Sequence, residues 1–192
     1  MLKKYTIYSA ILLFFLLLNA CNTGGGSPIF VEGSDDWFVV GEPSWKHEDG
    51  KLIGTSLGST GFIMTNKTYD NFEITLEFYP DELVNSGVFV RCKDSTISNT
   101  DCYEMNIWDI HPEQKYRTGS IVTRAEPLSF VNTVGKWNTY KIRCEGNQIK
   151  TWINNQLTAD ITDDDLAKGY IALQVAEPGR IRFRNIHLKE FK

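Results

Sequence analysis

The chain has 192 residues, 42% of them hydrophobic and 12% aromatic, with a formal net charge of -4. That is enough apolar material for one packed domain. Its Lys and Arg residues are spread singly along the strand-like runs and form no basic stripe, which excludes a phosphate-reading nucleic-acid binder.

Lys3 and Lys4 precede an apolar run over 7–18, and Leu18, Asn19, Ala20 and Cys21 end it. A charged start, about a dozen apolar residues and a small residue before a cut site read as a secretory signal, too short to span a bilayer comfortably. Cysteine directly after Ala20 resembles a bacterial lipoprotein signal, with cleavage before Cys21 and lipid on its sulfur. The alternative is an ordinary secretory signal with a coincidental cysteine. On the lipoprotein reading, residues 1–20 are removed and Cys21 holds the protein to the membrane, periplasmic or surface-exposed. Residues 21–28, rich in glycine, form a flexible tether. Residues 29–192 then make one domain.

Strand signals dominate that domain. Alternation or short β-rich runs predict strands over 51–55, 62–65, 72–78, 87–92, 103–109, 119–123, 140–145, 148–154, 170–176 and 180–191. Roughly ten to thirteen strands separated by Gly, Asn and Asp turns imply an all-β, two-sheet antiparallel sandwich or jelly roll. The one helix-like stretch is 162–168, a turn or two at most. Within it Asp163, Asp164 and Asp165 read either as calcium ligands or as a capped, solvated turn.

The densest polar constellation lies at 85–109. Burying the aliphatic residues of each strand puts Val88 and Val90, and Met105 and Ile107, in the core. Arg91, Glu104, Asn106 and Trp108 then share the other surface. A cation, a carboxylate, an amide and a tryptophan on one sheet face suit a sugar: polar groups for hydroxyls and an aromatic plane for the ring. An exposed face with an ordinary ion pair is the bland alternative.

Further along, Asn138, Gln174, Arg184 and Asn185 are polar positions that a packing argument leaves unexplained. Ile181 and Phe183 share one parity and Ile186 and Leu188 the other, so a β-bulge is expected at Arg184 and Asn185.

The blocks G-K-W-N-T-Y, W-I-N-N, I-A-L-Q, F-R-N-I, N-S-G-V-F-V-R and C-Y-E-M-N-I-W-D, in their order along 29–192, resemble the 3-keto-disaccharide hydrolase domain family. The resemblance implies a concanavalin-like jelly roll, of a kind common in secreted bacterial proteins and lipoproteins, that hydrolyses oxidised (3-keto) disaccharides or glycosides. A non-catalytic carbohydrate-binding lipoprotein is the rival reading. Many members carry glutamine two residues after the motif glutamate, where this chain has the shorter Asn106.

A ketone at carbon 3 acidifies the proton on carbon 2, so a base can remove it and the group on carbon 1 can leave. The resemblance together with this chemistry assigns Glu104 as base or acid and Arg91 to the developing enolate. Asp109 or His111 becomes the second proton-transfer group. Asn106, Gln174 and Arg184 would orient hydroxyls and Trp108 would stack on the ring. No cofactor and no metal set is implied. Glu104 and Asp109 are five residues apart, roughly 16 Å along a straight strand, so either the strand bends after Trp108 or Asp109 is structural. Strict alternation sets Cys92 and Cys102 on opposite faces if Arg91 and Glu104 share one. The resemblance is nevertheless to a branch with both cysteines, and implies a Cys92–Cys102 disulfide pinning the intervening loop over the cleft. Cys144 follows Tyr140 and Ile142 in parity and reads as a buried free thiol.

Overall fold

The computed structural model describes residues 25–192, so the expected leader and the lipid-bearing Cys21 lie outside the described residues. In chain order the strands are β1 (Ser27–Pro28), β2 (Trp37–Gly41), β3 (Ser44–Glu48), β4 (Lys51–Leu57), β5 (Gly61–Thr65), β6 (Phe72–Pro80) and β7 (Asn85–Cys92). They continue with β8 (Tyr103–Ile107), β9 (Asn138–Glu145), β10 (Gln148–Ile153), β11 (Gln156–Thr162), β12 (Tyr170–Ala176) and β13 (Pro178–Glu190). An eight-stranded sheet runs β11-β10-β9-β6-β13-β4-β3, with β1 beside β13, and a five-stranded sheet runs β2-β5-β12-β7-β8. Together they form the expected antiparallel jelly roll.

Alternation explains the larger sheet. In β6, Phe72, Ile74, Leu76 and Phe78 are buried while Glu73, Thr75 and Glu77 stay partly exposed on the outer surface. Each such burial is worth roughly 1.5–3 kcal/mol. From β9 come Tyr140, Ile142 and the free Cys144, and from the five-stranded sheet come Val88, Val90, Met105, Ile107, Ile171 and Leu173. The smaller sheet is buried on its other face as well. There Met64, Phe89, Cys92, Cys102 and Ala172 form a second apolar cluster.

Two bulges break the alternation. β13 gains one residue against β6 between Arg184 and His187, with Asn185 at φ 52°, as the parity shift predicts. β7 gains one against β12 just before Cys92, with Arg91 at φ 54°. The sequence gives no parity signal for this second bulge, because Phe89, Val90, Arg91 and Cys92 are all buried.

Two local expectations need correction, and the two readings of the aspartate run are resolved in favour of the turn. Residues 162–168 form no helix, and the one short helical element among the described residues is a 3-10 turn at Gln114–Tyr116. Residues 119–123 contribute only isolated bridges, through Ile121, to Met105 and Ala125. The carboxylate of Asp163 accepts hydrogen bonds from Tyr103 Oη at 2.6 Å and Arg124 Nη1 at 2.9 Å, and Asp165 pairs with the same arginine. The aspartate run is therefore a turn tied to Arg124. Among the described residues no group of three His, Cys, Asp or Glu side chains is placed to hold a metal ion.

Candidate functional site

The register of the five-stranded sheet arranges its outward side chains in rows. Phe62 on β5 stands opposite Gln174 on β12, which stands opposite Gly87 on β7, which stands opposite Asn106 on β8. The adjacent row carries Met64, Ala172, Phe89 and Glu104. Asn85 stands opposite Ala176 on the other side. These rows floor a cleft of about 500 Å³ whose walls include Glu104, Asn106, Trp108, His111, Gln174 and Asn85. The size suits a small carbohydrate.

Glu104 is the cleft's carboxylate and is only 8% exposed. Burial pushes its carboxyl up to about 7, because desolvation penalises the charged form. No side-chain hydrogen bond or ion pair engages it among the described residues. A carboxyl that changes protonation near neutrality, on the wall of a cleft, suits proton transfer.

Gln174 is 7% exposed, and its Oε1 has no hydrogen-bond partner. Asn106 is more occupied: its Nδ2 donates to Tyr116 O and its Oδ1 accepts the Ile107 N–H at 2.9 Å. It braces the loop after β8 as well as lining the cleft. Trp108 packs edge to face against His111, with ring centroids 4.7 Å apart, and its Nε1 is buried without a partner. His111 accepts the Glu113 N–H on Nδ1 at 3.0 Å, so a neutral ring carries its proton on Nε2.

Three expected site residues are elsewhere. Arg91 is 0% exposed and points away from the cleft, since the bulge turns its side chain from Glu104's face. Its Nη1 donates to Leu166 O at 3.0 Å and its Nη2 to Asp70 O at 3.0 Å and Gly146 O at 2.8 Å. It ties loops together and is not available to an enolate. The same bulge brings Cys92 onto Glu104's face, and the Cys92–Cys102 disulfide forms with a Cα–Cα distance of 4.2 Å. The loop it closes supplies Ile97, Ser98 and Asn99 to the cleft wall.

Asp109 also leaves the cleft. The chain turns after Trp108, with His111 N donating to Trp108 O at 3.2 Å. Asp109 there caps the following loop, accepting from Thr133 N at 2.5 Å and Thr133 Oγ1 at 2.9 Å. The bend thus brings His111 to the site and takes Asp109 away. Arg184 lies on the larger sheet, 2.6 Å from Glu77 and stacked over Trp137 at 4.0 Å. The bulge at 184–187 aims it at that ion pair. Asn138 ties a turn, donating to Thr133 O and Lys136 O, both at 2.8 Å.

Sequence reasoning missed Asn85 and Phe62. Alternation with Phe89 places Asn85 on the cleft face, so that signal was present. Phe62 reaches the site only through the pairing of β5 with β12, which no local pattern reveals.

Residues 29–189 match the 3-keto-alpha-glucoside-1,2-lyase-like domain. No curated protein matches the chain. Among solved structures, one named as a putative glycosyl hydrolase from Parabacteroides distasonis is 26% identical, with TM-score 0.68 over 77% of this chain and 90% of that one. A second of that name and organism is 19% identical, with TM-score 0.71 over 82% and 89%. The carbohydrate-binding module CBM66 from Bacillus subtilis is 18% identical, with TM-score 0.65 over 81% and 96%. The last two likenesses bear on the fold alone.

Proposed function

The chain belongs to the 3-keto-alpha-glucoside-1,2-lyase-like domain family, and on that premise we propose that it cleaves 3-oxo disaccharides or glycosides, with Glu104 as general base. One observation carries the reading: the cleft wall holds a single carboxylate, buried, raised to about 7 and without a side-chain hydrogen bond or ion pair among the described residues. A conventional glycosidase needs a second carboxyl about 5 to 9.5 Å away. Elimination beside a ketone needs only one base, because the ketone itself acidifies the neighbouring C–H.

Glu104 takes the proton from carbon 2, and the electron pair enters the C2–C3 enolate. The enolate collapses to form the C1–C2 double bond and breaks the C1–O bond. The departing oxygen, hydrogen-bonded by His111 Nε2–H, leaves with the proton that Glu104 took from carbon 2. Addition of water across the new double bond completes a net hydrolysis. With Arg91 turned away, the oxyanion falls to neutral donors of the wall, the Gln174 amide among them. Asn106 holds the wall in register. Phe62, braced edge to face by Phe89 at 5.3 Å, offers an apolar surface to the ring, a role that sequence reasoning gives to Trp108.

The test is turnover of a nitrophenyl 3-oxo-glucoside by Glu104→Gln. Loss of at least ~10²-fold in kcat with sugar affinity retained is expected, the range for removing a general base. Unchanged turnover overturns the assignment. Saturable binding with no product from the unsubstituted protein makes it a carbohydrate-binding protein instead. Envelope anchoring through lipid on Cys21 belongs to the same proposal and is supported by the leader-like pattern of residues 1–21. Fatty-acid labelling should be lost in Cys21→Ser.

A further inference from the structure

Three buried polar atoms on cleft-lining residues have no hydrogen-bond partner among the described residues: Asn85 Oδ1, Gln174 Oε1 and Trp108 Nε1. An unpaired buried polar group is expensive, about 1–3 kcal/mol, and most such groups in folded proteins are satisfied. Other such atoms are scattered over residues away from the cleft, among them Trp45 Nε1 and Tyr140 Oη, but these three gather on one cleft, where a ligand with matching groups would complete them. Asn85 and Gln174 sit on neighbouring strands, opposite Ala176 and Gly87, so their amides flank the side-chain-free position at Gly87. Glu104 lies beside that position too, with its Cγ 3.5 Å from where a Cβ on Gly87 would stand.

The formal charge of the wall is as informative. Among its residues there is one carboxylate and no Lys or Arg. Every cation that sequence reasoning sent here is engaged elsewhere, Arg91 by carbonyls and Arg184 by Glu77. A carboxylate or phosphate on the ligand would lose its hydration and find no countercharge. A hydroxyl fits instead, since it donates to an amide oxygen and accepts from an indole N–H. Turning either amide about presents its NH2, which hydroxyls satisfy as well.

We propose that Asn85 and Gln174, with the indole N–H of Trp108, form a reading site for hydroxyls that restricts the cleft to neutral sugar rings and rejects uronates. The proposal rests on the reading of this cleft as a 3-oxo glycoside site and names Asn85 as a specificity residue. Asn85 Oδ1 holds no other group in place, so its removal changes recognition without loosening the fold.

The experiment is calorimetric titration of the Glu104→Gln protein with a 3-oxo-glucoside and with the matching 3-oxo-glucuronide. The glucoside should bind at least ~30-fold more tightly. Adding Asn85→Ala or Gln174→Ala should weaken glucoside binding by ~5- to 20-fold each, while the thermal midpoint of Asn85→Ala stays within about 2 °C of its parent. Equal affinity for the two sugars, or undiminished affinity in both amide variants, overturns the proposal while leaving the cleft a sugar site. Failure of either sugar to bind removes that reading together with this one.

Discussion

The outer face of the larger sheet and the cleft face of the smaller one carry similar side chains and treat them in opposite ways. On the outer face charges are paired: Arg184 with Glu77 at 2.6 Å, Arg182 with Asp81 at 2.8 Å, Arg143 with Glu145 at 2.7 Å and Lys150 with Asp160 at 3.2 Å. In the cleft, among the described residues, Glu104 has no side-chain partner, and Gln174 Oε1, Asn85 Oδ1 and Trp108 Nε1 are buried unpaired. Exposed pairs contribute little because water screens them. Unpaired groups shielded from water remain free to engage a ligand. For the carboxylates, pairing state more than identity separates the cleft from the outer face.

Arg91 is the sharpest test of that distinction, being buried like Glu104 but held through its two terminal nitrogens by three backbone carbonyls. Replacing it with Met should destabilise the protein by about 3 kcal/mol, since three carbonyls lose their donor, as read by chemical denaturation. A fully stable Arg91→Met would break the contrast.

Glu104 should show the reverse. Its carboxyl is raised in the folded state to about 7 from 4.5, so the folded protein favours the protonated form. The resulting stability is fully present below pH 4.5 and is lost as pH rises through 7. Glu104→Gln, neutral at every pH, should therefore match the parent near pH 4.5 and exceed it at pH 8 by up to about 3 kcal/mol. Equal stability at pH 8 would mean that burial does not strain the carboxylate.

Removing the Cys92–Cys102 bridge as a paired Ala substitution should lower stability by about 2–3 kcal/mol, from the entropy of a short closed loop. Sugar affinity should fall with it, because residues 97–99 form part of the cleft wall. Arg184→Ala should have the smallest effect, less than about 1 kcal/mol on stability and none on turnover. A loss of turnover there would return Arg184 to the site.

The fold was legible because alternation is local. Phe72 to Phe78 and Tyr140 to Cys144 declare their inner faces without reference to any other strand. Glu104, Asn106 and Trp108 reached the cleft by the same logic, Gln174 through the family resemblance, and the bulge at Asn185 showed itself as a change of parity. Arg91 defeated that logic because its bulge sits in a strand buried on both faces, where apolar residues on either side of it conceal the change. Asp109 and His111 were separable only through the bend after Trp108, which depends on loop contacts at Thr133 and Glu113. Phe62 needed the strand order, a non-local property.

The most direct measurement is kcat/KM against pH for a 3-oxo-glucoside, on the parent and on Glu104→Gln. With Glu104 as the base, the rate should rise about tenfold per pH unit below 7 and level off above it, while the variant shows no such rise. A parent profile that is flat or falling between pH 5 and 8 would contradict the account.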